Sequence, residues 1–204
     1  MTRNPHLLPA GVGDLFIVDV EATDKTPMSG LMTEFAVVHV VTGASFYGHV
    51  YRAHPHPDTP ALPVVELDAA GRPIVDAYWI TDGQDTADAT HAGEASGVAR
   101  ALHRWLDGFG LARRTLVSDN NGFDAMWLNC FTDEQLRRVL FGHSSRRIGD
   151  FYAGSRGKWN DQSSWKGMRR TRHTHHPLDD AHGNAEALRT LLGIPEPRLA
   201  EASH

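Results

Sequence analysis

Apolar runs separated by turn-forming residues divide the chain into a short succession of elements. Residues 14–20 (Asp14-Leu15-Phe16-Ile17-Val18-Asp19-Val20) are almost continuously apolar and predict a strand covered on both faces, in mid-sheet. A polar loop containing Thr23, Asp24, Pro27, Ser29 and Gly30 follows, and residues 34–41 then predict a second strand. Thr42-Gly43-Ala44 predicts a hairpin turn into a third strand over 45–51. Between residues 54 and 73 stand Pro55, Pro57, Pro60, Pro63 and Pro73, which predict an extended surface loop insertion in place of a regular element.

Helical spacing begins further on. Val98, Ala101, Leu102, Trp105 and Leu106 predict an amphipathic helix over 93–107. Residues 115–118 predict a fourth strand, and residues 123–131 and 133–140 two helices, with Thr132 as N-cap of the second and Gln135 at its capping-box position. Residues 147–152 predict a last strand or its connection. Pro177 opens a helix whose stripe of Leu178, Ala181, Ala185, Leu188, Leu191 and Leu192 is stopped by Gly193 and Pro195. The succession predicts an α/β domain, a mixed central β-sheet flanked by α-helices.

Composition narrows the class without changing that picture. At a rough ~150 residues per domain, 204 residues predict one domain. The expected division is an N-terminal extension over 1–13, a single domain over 14–194 and a tail over 195–204. A hydrophobic fraction of 41% and a charged fraction of 22% are globular values and exclude a fibrous or low-complexity chain. Cys130 is the only cysteine, so no internal disulfide or Cys-based zinc site exists, and a reducing, cytoplasmic setting is expected. The first residues lack the apolar core of a signal peptide, and no run of ~18 apolar residues predicts a membrane span.

Charge is unevenly placed. The net charge is −5, which argues weakly against an acidic partner. Yet residues 137–172 hold Arg137, Arg138, Arg146, Arg147, Arg156, Lys158, Lys166, Arg169, Arg170 and Arg172 against Asp150 and Asp161. That segment is +8 and the remainder −13. Tyr152, Trp159 and Trp165 are interleaved with these cations, a pattern suited to the phosphates and bases of a single strand, and equally to a solvated face over a few core aromatics.

The chemistry lies in the acids. Asp19 and Glu21, two apart on a strand, point to the same side. Two carboxylates so placed repel each other unless a cation lies between them, and Mg²⁺ takes such oxygen ligands. Asp124 and Asp180 each fall in a first helical turn, where dipole compensation alone would explain them. His175, five residues before Asp180, lies just outside the last helix, within reach of a site built around it.

Asp19-x-Glu21, then Asn120 with Phe123-Asp124, then His175-x4-Asp180-Ala181 resemble, in order and spacing, the three motifs of the DEDDh 3′–5′ exonucleases. These form the ribonuclease H-like group that includes ribonuclease T and polymerase proofreading subunits. Residues 118–124 and 146–181 also resemble a branch of small stand-alone bacterial and phage exonucleases, and the resemblance covers about residues 14–192. It implies a ribonuclease H-like fold and two Mg²⁺ or Mn²⁺ ions. Asp19 would bridge both ions, Glu21 and Asp180 would complete the site of the nucleophilic water, Asp124 would help hold the second ion and His175 would be the general base. The implied product is a nucleoside 5′-monophosphate, released from the 3′ end of single-stranded RNA or DNA or of a 3′ overhang. A homodimer is compatible with the resemblance.

In many relatives a Thr-Gly element follows the acid pair, where this chain has Ala22-Thr23-Asp24. Ala22, Thr23, Leu31, Met32, Asn120, Phe123, Arg146 and Arg147 are the candidate substrate contacts, with core packing the alternative for Leu31 and Met32. His176 is the alternative base, and a zinc site drawn from His173, His175, His176 and His182 is a further alternative. Two other functions fit the same residues: a phosphodiesterase for short or signalling oligonucleotides, capped by the proline-rich loop, and a binding module without catalysis.

Overall fold

A computed structural model describes residues 11–56, 62–82 and 84–197. The expected N-terminal extension and C-terminal tail lie mostly outside the described residues, as does the middle of the proline-rich excursion. Three strands form the antiparallel meander: β1 (Leu15–Ala22), β2 (Met32–His39) and β3 (Ser45–Tyr51). A small two-stranded sheet pairs β4 (Ala53–His54) with β5 (Val64–Val65). There follow β6 (Val75–Thr81), β7 (Thr90–His91), α1 (Ala95–Asp107) and β8 (Thr115–Ser118). The chain then forms α2 (Asn121–Leu136), β9 (Ser145–Arg147), α3 (Ile148–Arg156) and α4 (Pro177–Leu192).

The seven-stranded sheet has the order β7-β6-β3-β2-β1-β8-β9. β1, β8 and β9 run parallel, and all other pairs are antiparallel. This mixed sheet flanked by helices is consistent with a ribonuclease H-like fold. Among the described residues no helix is long and apolar enough to cross a membrane.

The near-continuous apolar run of β1 follows from its central place. Phe16, Val18 and Val20 enter one core with α1 and α2, while Leu15 and Ile17 enter the other with α4. Each fully buried side chain of this size contributes roughly 1.5–3 kcal/mol. Asp19 and Glu21 continue the Leu15–Ile17 line, so the alternation of the strand aims both acids at the α4 face. Gly48 is required where α1 crosses: a Cβ there would lie 2.6 Å from the Phe35 ring and 2.8 Å from Val98.

Three expectations are corrected and one open alternative is decided. Residues 123–140 do not form two helices: α2 continues through Thr132, whose hydroxyl donates to the Asn129 carbonyl at 3.3 Å and so is satisfied inside the helix. The last strand falls at 145–147, and Ile148 begins α3 instead of continuing it. The excursion is not wholly irregular, since it contains β5 and a bridge between Leu67 and Pro73. Trp165 is fully buried and Tyr152 is 8% exposed, so the interleaved aromatics are mostly core; only Trp159, 79% exposed, is free to stack on a base. The Trp165 indole N–H donates to the Gln162 carbonyl at 2.8 Å.

Candidate active site

Three elements converge at the end of β1. Carboxylate oxygens of Asp19, Glu21 and Asp180 all lie within 4.8 Å of one another. Asp19 and Glu21 come from β1, and Asp180 from the first turn of α4, which Pro177 opens with its fixed φ. Asp124, from the first turn of α2, reaches the same strand: its Oδ1 accepts the Val20 N–H at 3.2 Å. The Asn120 carbonyl accepts the N–H groups of Phe123 and Asp124 at 2.8 and 3.0 Å, which starts α2 at the right place.

Such crowding of acids raises their proton affinity. Burial, then the charges of Asp124, Asp180 and Glu21, hold the Asp19 carboxyl well above the usual carboxylate range. Burial and the neighbouring Glu34, Asp180 and Asp124 push Glu21 up to about 8. Burial lifts Asp124 to about 7 against the pull of its backbone hydrogen bonds. Carboxylates this close could hold a hard divalent cation, whose charge would relieve the repulsion that protonation otherwise relieves. The donor set therefore fits the group that the motif resemblance implies.

One wall of the site carries a polar network absent from the sequence expectations. Glu34 on β2 accepts a hydrogen bond from the Tyr47 hydroxyl, and His49 Nδ1 lies 3.3 Å from the same hydroxyl. Burial would raise Glu34, but the hydrogen bonds from His49 and Tyr47 prevail and hold it below its ordinary value. Its negative charge in turn raises Glu21. Glu21, Glu34 and His49 line a cavity of about 180 Å³ with His54, Pro55, Pro63, Thr174 and His175, so the ends of the proline-rich excursion stand beside the acids. The signal for this wall was period-two placement of Glu34 beside the strand bearing Glu21, where the registered pair is Glu21 with Glu34.

The histidine loop is divided by side. His175 takes a left-handed backbone with φ 62° and is exposed beside Asp180. His173, which sequence reasoning placed only in a four-histidine zinc alternative, contacts the acid directly, with Nδ1 2.7 Å from Asp180 Oδ2. His176, the alternative base, stacks on Tyr47 at 5.1 Å, and His182 on α4 joins neither cluster, so the four-histidine set does not form.

The expected substrate contacts do not form one cluster. Ala22 and Met32 are 0% and 4% exposed in the core beneath α1 and α2, where neither side chain can meet a base. They are register partners on the face of β1 and β2 opposite the acids. Arg147 is bound within the protein: Nε donates to the Asp119 carbonyl at 2.8 Å and Nη1 to Gln162 at 2.9 Å. Arg146 is exposed and lines a separate cavity of about 690 Å³ that none of the four acids borders. Thr23 and Leu31 line a groove with Asp24, His56 and Pro63, the Thr23 Oγ1 accepting the Leu31 N–H at 2.9 Å. Asn120 is exposed and Phe123 half-buried on Trp127.

No protein-family model matches the chain, and no curated protein matches it. Among solved structures, the zinc-ion-bound form of the E. coli ExoI–ssDNA complex matches with 12% identity and a TM-score of 0.42. The match covers 90% of this chain and 41% of that one, so this chain spans less than half the length of its neighbour. A likeness so distant does not carry activity from one to the other.

Proposed function

We propose that this protein is a metal-dependent 3′–5′ exonuclease that hydrolyses single-stranded RNA or DNA to nucleoside 5′-monophosphates. The observation that carries the reading is the convergence within 4.8 Å of Asp19 and Glu21 from the first motif with Asp180 from the third, while Asp124 of the second is bound to the Val20 N–H between them. Divalent cations of the Mg²⁺ or Mn²⁺ class, held by Asp19, Glu21 and Asp180 with Asp124 in support, would supply charge neutralisation and an acidified water.

The residues of the chain divide the remaining work. Asp124, tied to the Val20 N–H, holds β1 against α2 and so fixes the direction of the acids flanking Val20. A ring nitrogen of His175 takes a proton from the attacking water as its oxygen bonds to phosphorus, the P–O3′ bond breaks, and the 3′ oxygen of the shortened strand leaves and takes up a proton from solvent. The Glu34–Tyr47–His49 wall orients Glu21 and closes one side of the terminal-nucleotide pocket, with Thr23 and Leu31 at its neighbour. Exposed cations Arg146, Arg156, Lys158 and Arg172, together with Trp159, guide the strand. Residues 14–194 act as one catalytic domain.

A linear strand and a covalently closed circle of the same sequence test the reading. Digestion of the linear form alone, with 5′-monophosphates as product, supports it; cleavage of the circle refutes the exonuclease assignment. A second reading, a phosphodiesterase for short oligonucleotides, is favoured by the excursion ends that wall the Glu21 cavity. Rates on strands of two to five nucleotides against long strands separate the two.

A further inference from the structure

The sequence His173-Thr174-His175-His176 sends its imidazoles to two different places. His176 turns to Tyr47, while His173 and His175 turn to each other, ring centroids 4.3 Å apart, and to Asp180. One nitrogen from each ring and one Asp180 oxygen lie within 4.8 Å of one another. This second cluster differs in kind from the carboxylate set, since two of its three donors are imidazole nitrogens.

The loop is built to keep that arrangement. The Thr174 N–H donates to Asp180 Oδ1 at 3.2 Å, and its hydroxyl donates to Asp179 Oδ2 at 2.8 Å. The same hydroxyl oxygen accepts the His176 N–H at 3.2 Å. Thr174 thus fastens the loop to the start of α4 while the residues on either side of it converge. His175 is held at φ 62°, a backbone region that costs a non-glycine residue on the order of 1 kcal/mol or more and persists only where surrounding contacts impose it. Asp180 is 3% exposed and already has one oxygen on His173, so a fixed, buried carboxylate anchors two exposed, adjustable rings.

We propose that His173, His175 and Asp180 form a binding site for a single transition-metal ion of the zinc class, distinct from the all-carboxylate set but sharing Asp180 with it. Imidazole donors suit zinc, cobalt and copper, whereas Mg²⁺ and Mn²⁺ take oxygen. Two histidines and one carboxylate with a water in the fourth position is a recurrent tetrahedral zinc environment, with bonds of ~2.0–2.2 Å. Tetrahedral bonds of that length place donor atoms about 3.4 Å apart, so the exposed rings must rotate inward to close the site. Occupancy takes Asp180 away from the carboxylate centre and both lone-pair nitrogens from solvent. Zinc is therefore an inhibitor of the proposed hydrolysis; this regulatory half rests on the nuclease reading, and the binding half does not.

Cobalt(II) serves as the spectroscopic probe for the metal site, titrated into the full chain and followed by its visible absorption, with zinc displacing it. Wild type and an Asp19→Asn/Glu21→Gln variant, which lacks the carboxylate centre, should both give one tetrahedral, nitrogen-ligated ion per chain. His173→Gln and His175→Gln, each checked for folding by circular dichroism, should weaken that ion by at least about 10-fold. In the Mg²⁺-supported cleavage assay the zinc concentration for half inhibition should rise by a similar factor in His173→Gln. Loss of the ion in Asp19→Asn/Glu21→Gln, with His173→Gln binding as wild type does, would place the metal among the carboxylates and overturn the proposal. A His173-dependent cobalt spectrum in a protein that cleaves no strand would support the site and refute the nuclease reading instead.

Discussion

Glu21→Gln is the most informative single substitution for the electrostatics of the site. In the metal-free protein Glu21 is pushed up to about 8 from an ordinary 4.5 by burial and by Glu34, Asp180 and Asp124. Through that window the folded protein keeps a proton that the unfolded chain has released, so stability falls as pH rises from about 5 to about 8. At roughly 1.4 kcal/mol per pH unit of displacement, ionised Glu21 costs the fold on the order of 5 kcal/mol above pH 8. Gln keeps the shape of the protonated carboxyl and never ionises. Urea unfolding with a chelator present should give nearly equal midpoints for wild type and variant at about pH 5. At about pH 8.5 the variant should unfold roughly 2.5 M later, for a slope of about 2 kcal/mol per molar. Differences due to His39 and His182, whose protonation burial opposes, cancel between the two proteins. Mg²⁺ should stabilise the wild type at the higher pH and leave the variant less affected. A gap independent of pH, or a variant less stable at pH 8.5, would refute the reasoning.

Three other outcomes follow from the packing and the surface. Trp165→Ala removes a fully buried indole over which the Arg169 guanidinium lies at 4.9 Å, and should cost about 3–5 kcal/mol in chemical denaturation. Trp159→Ala should leave stability within about 0.5 kcal/mol and weaken single-strand binding by roughly tenfold in fluorescence titration; an unchanged affinity would remove the basic segment from the strand path. Gly48→Ala should lower stability by about 1–3 kcal/mol in a thermal melt, because its methyl group meets the Phe35 ring and Val98.

The meander, the helix over α1, the strand of residues 115–118 and the closing helix were legible because each buries a continuous face, and burial writes a period into the sequence. The order of the acids was legible for the same reason: Asp19 and Glu21 extend the inward positions of Leu15 and Ile17 by simple alternation. Edge elements were not. β9 is Ser145-Arg146-Arg147, polar throughout, and its place beside β8 is set by backbone pairing that leaves no apolar signature. β6 carries mixed burial next to a proline-rich stretch, and residues 74–92 suggested no element. The interleaved aromatics of the basic segment were ambiguous because a stacking platform and a core anchor have the same residue type; only the fold separates Trp159 from Trp165. Arg169 turned inward, and both it and the exposed Lys166 are paired with Asp119, at 3.5 and 2.6 Å. His173 was visible as a residue, but its contact with Asp180 depends on a loop clamped by Thr174, which no spacing rule encodes.

The central claim is that the acids at the end of β1 and the start of α4 form a hydrolytic metal centre acting at a 3′ end. Incubation of 5′-labelled single-stranded RNA and DNA with the protein and Mg²⁺ tests it most directly, with EDTA and Asp19→Ala as controls. A ladder shortening one nucleotide at a time from the 3′ end is expected, abolished in both controls while Asp19→Ala remains folded. Tight binding of the same strands without shortening, in Mg²⁺ and in Mn²⁺, would contradict it and leave a nucleic-acid-binding module.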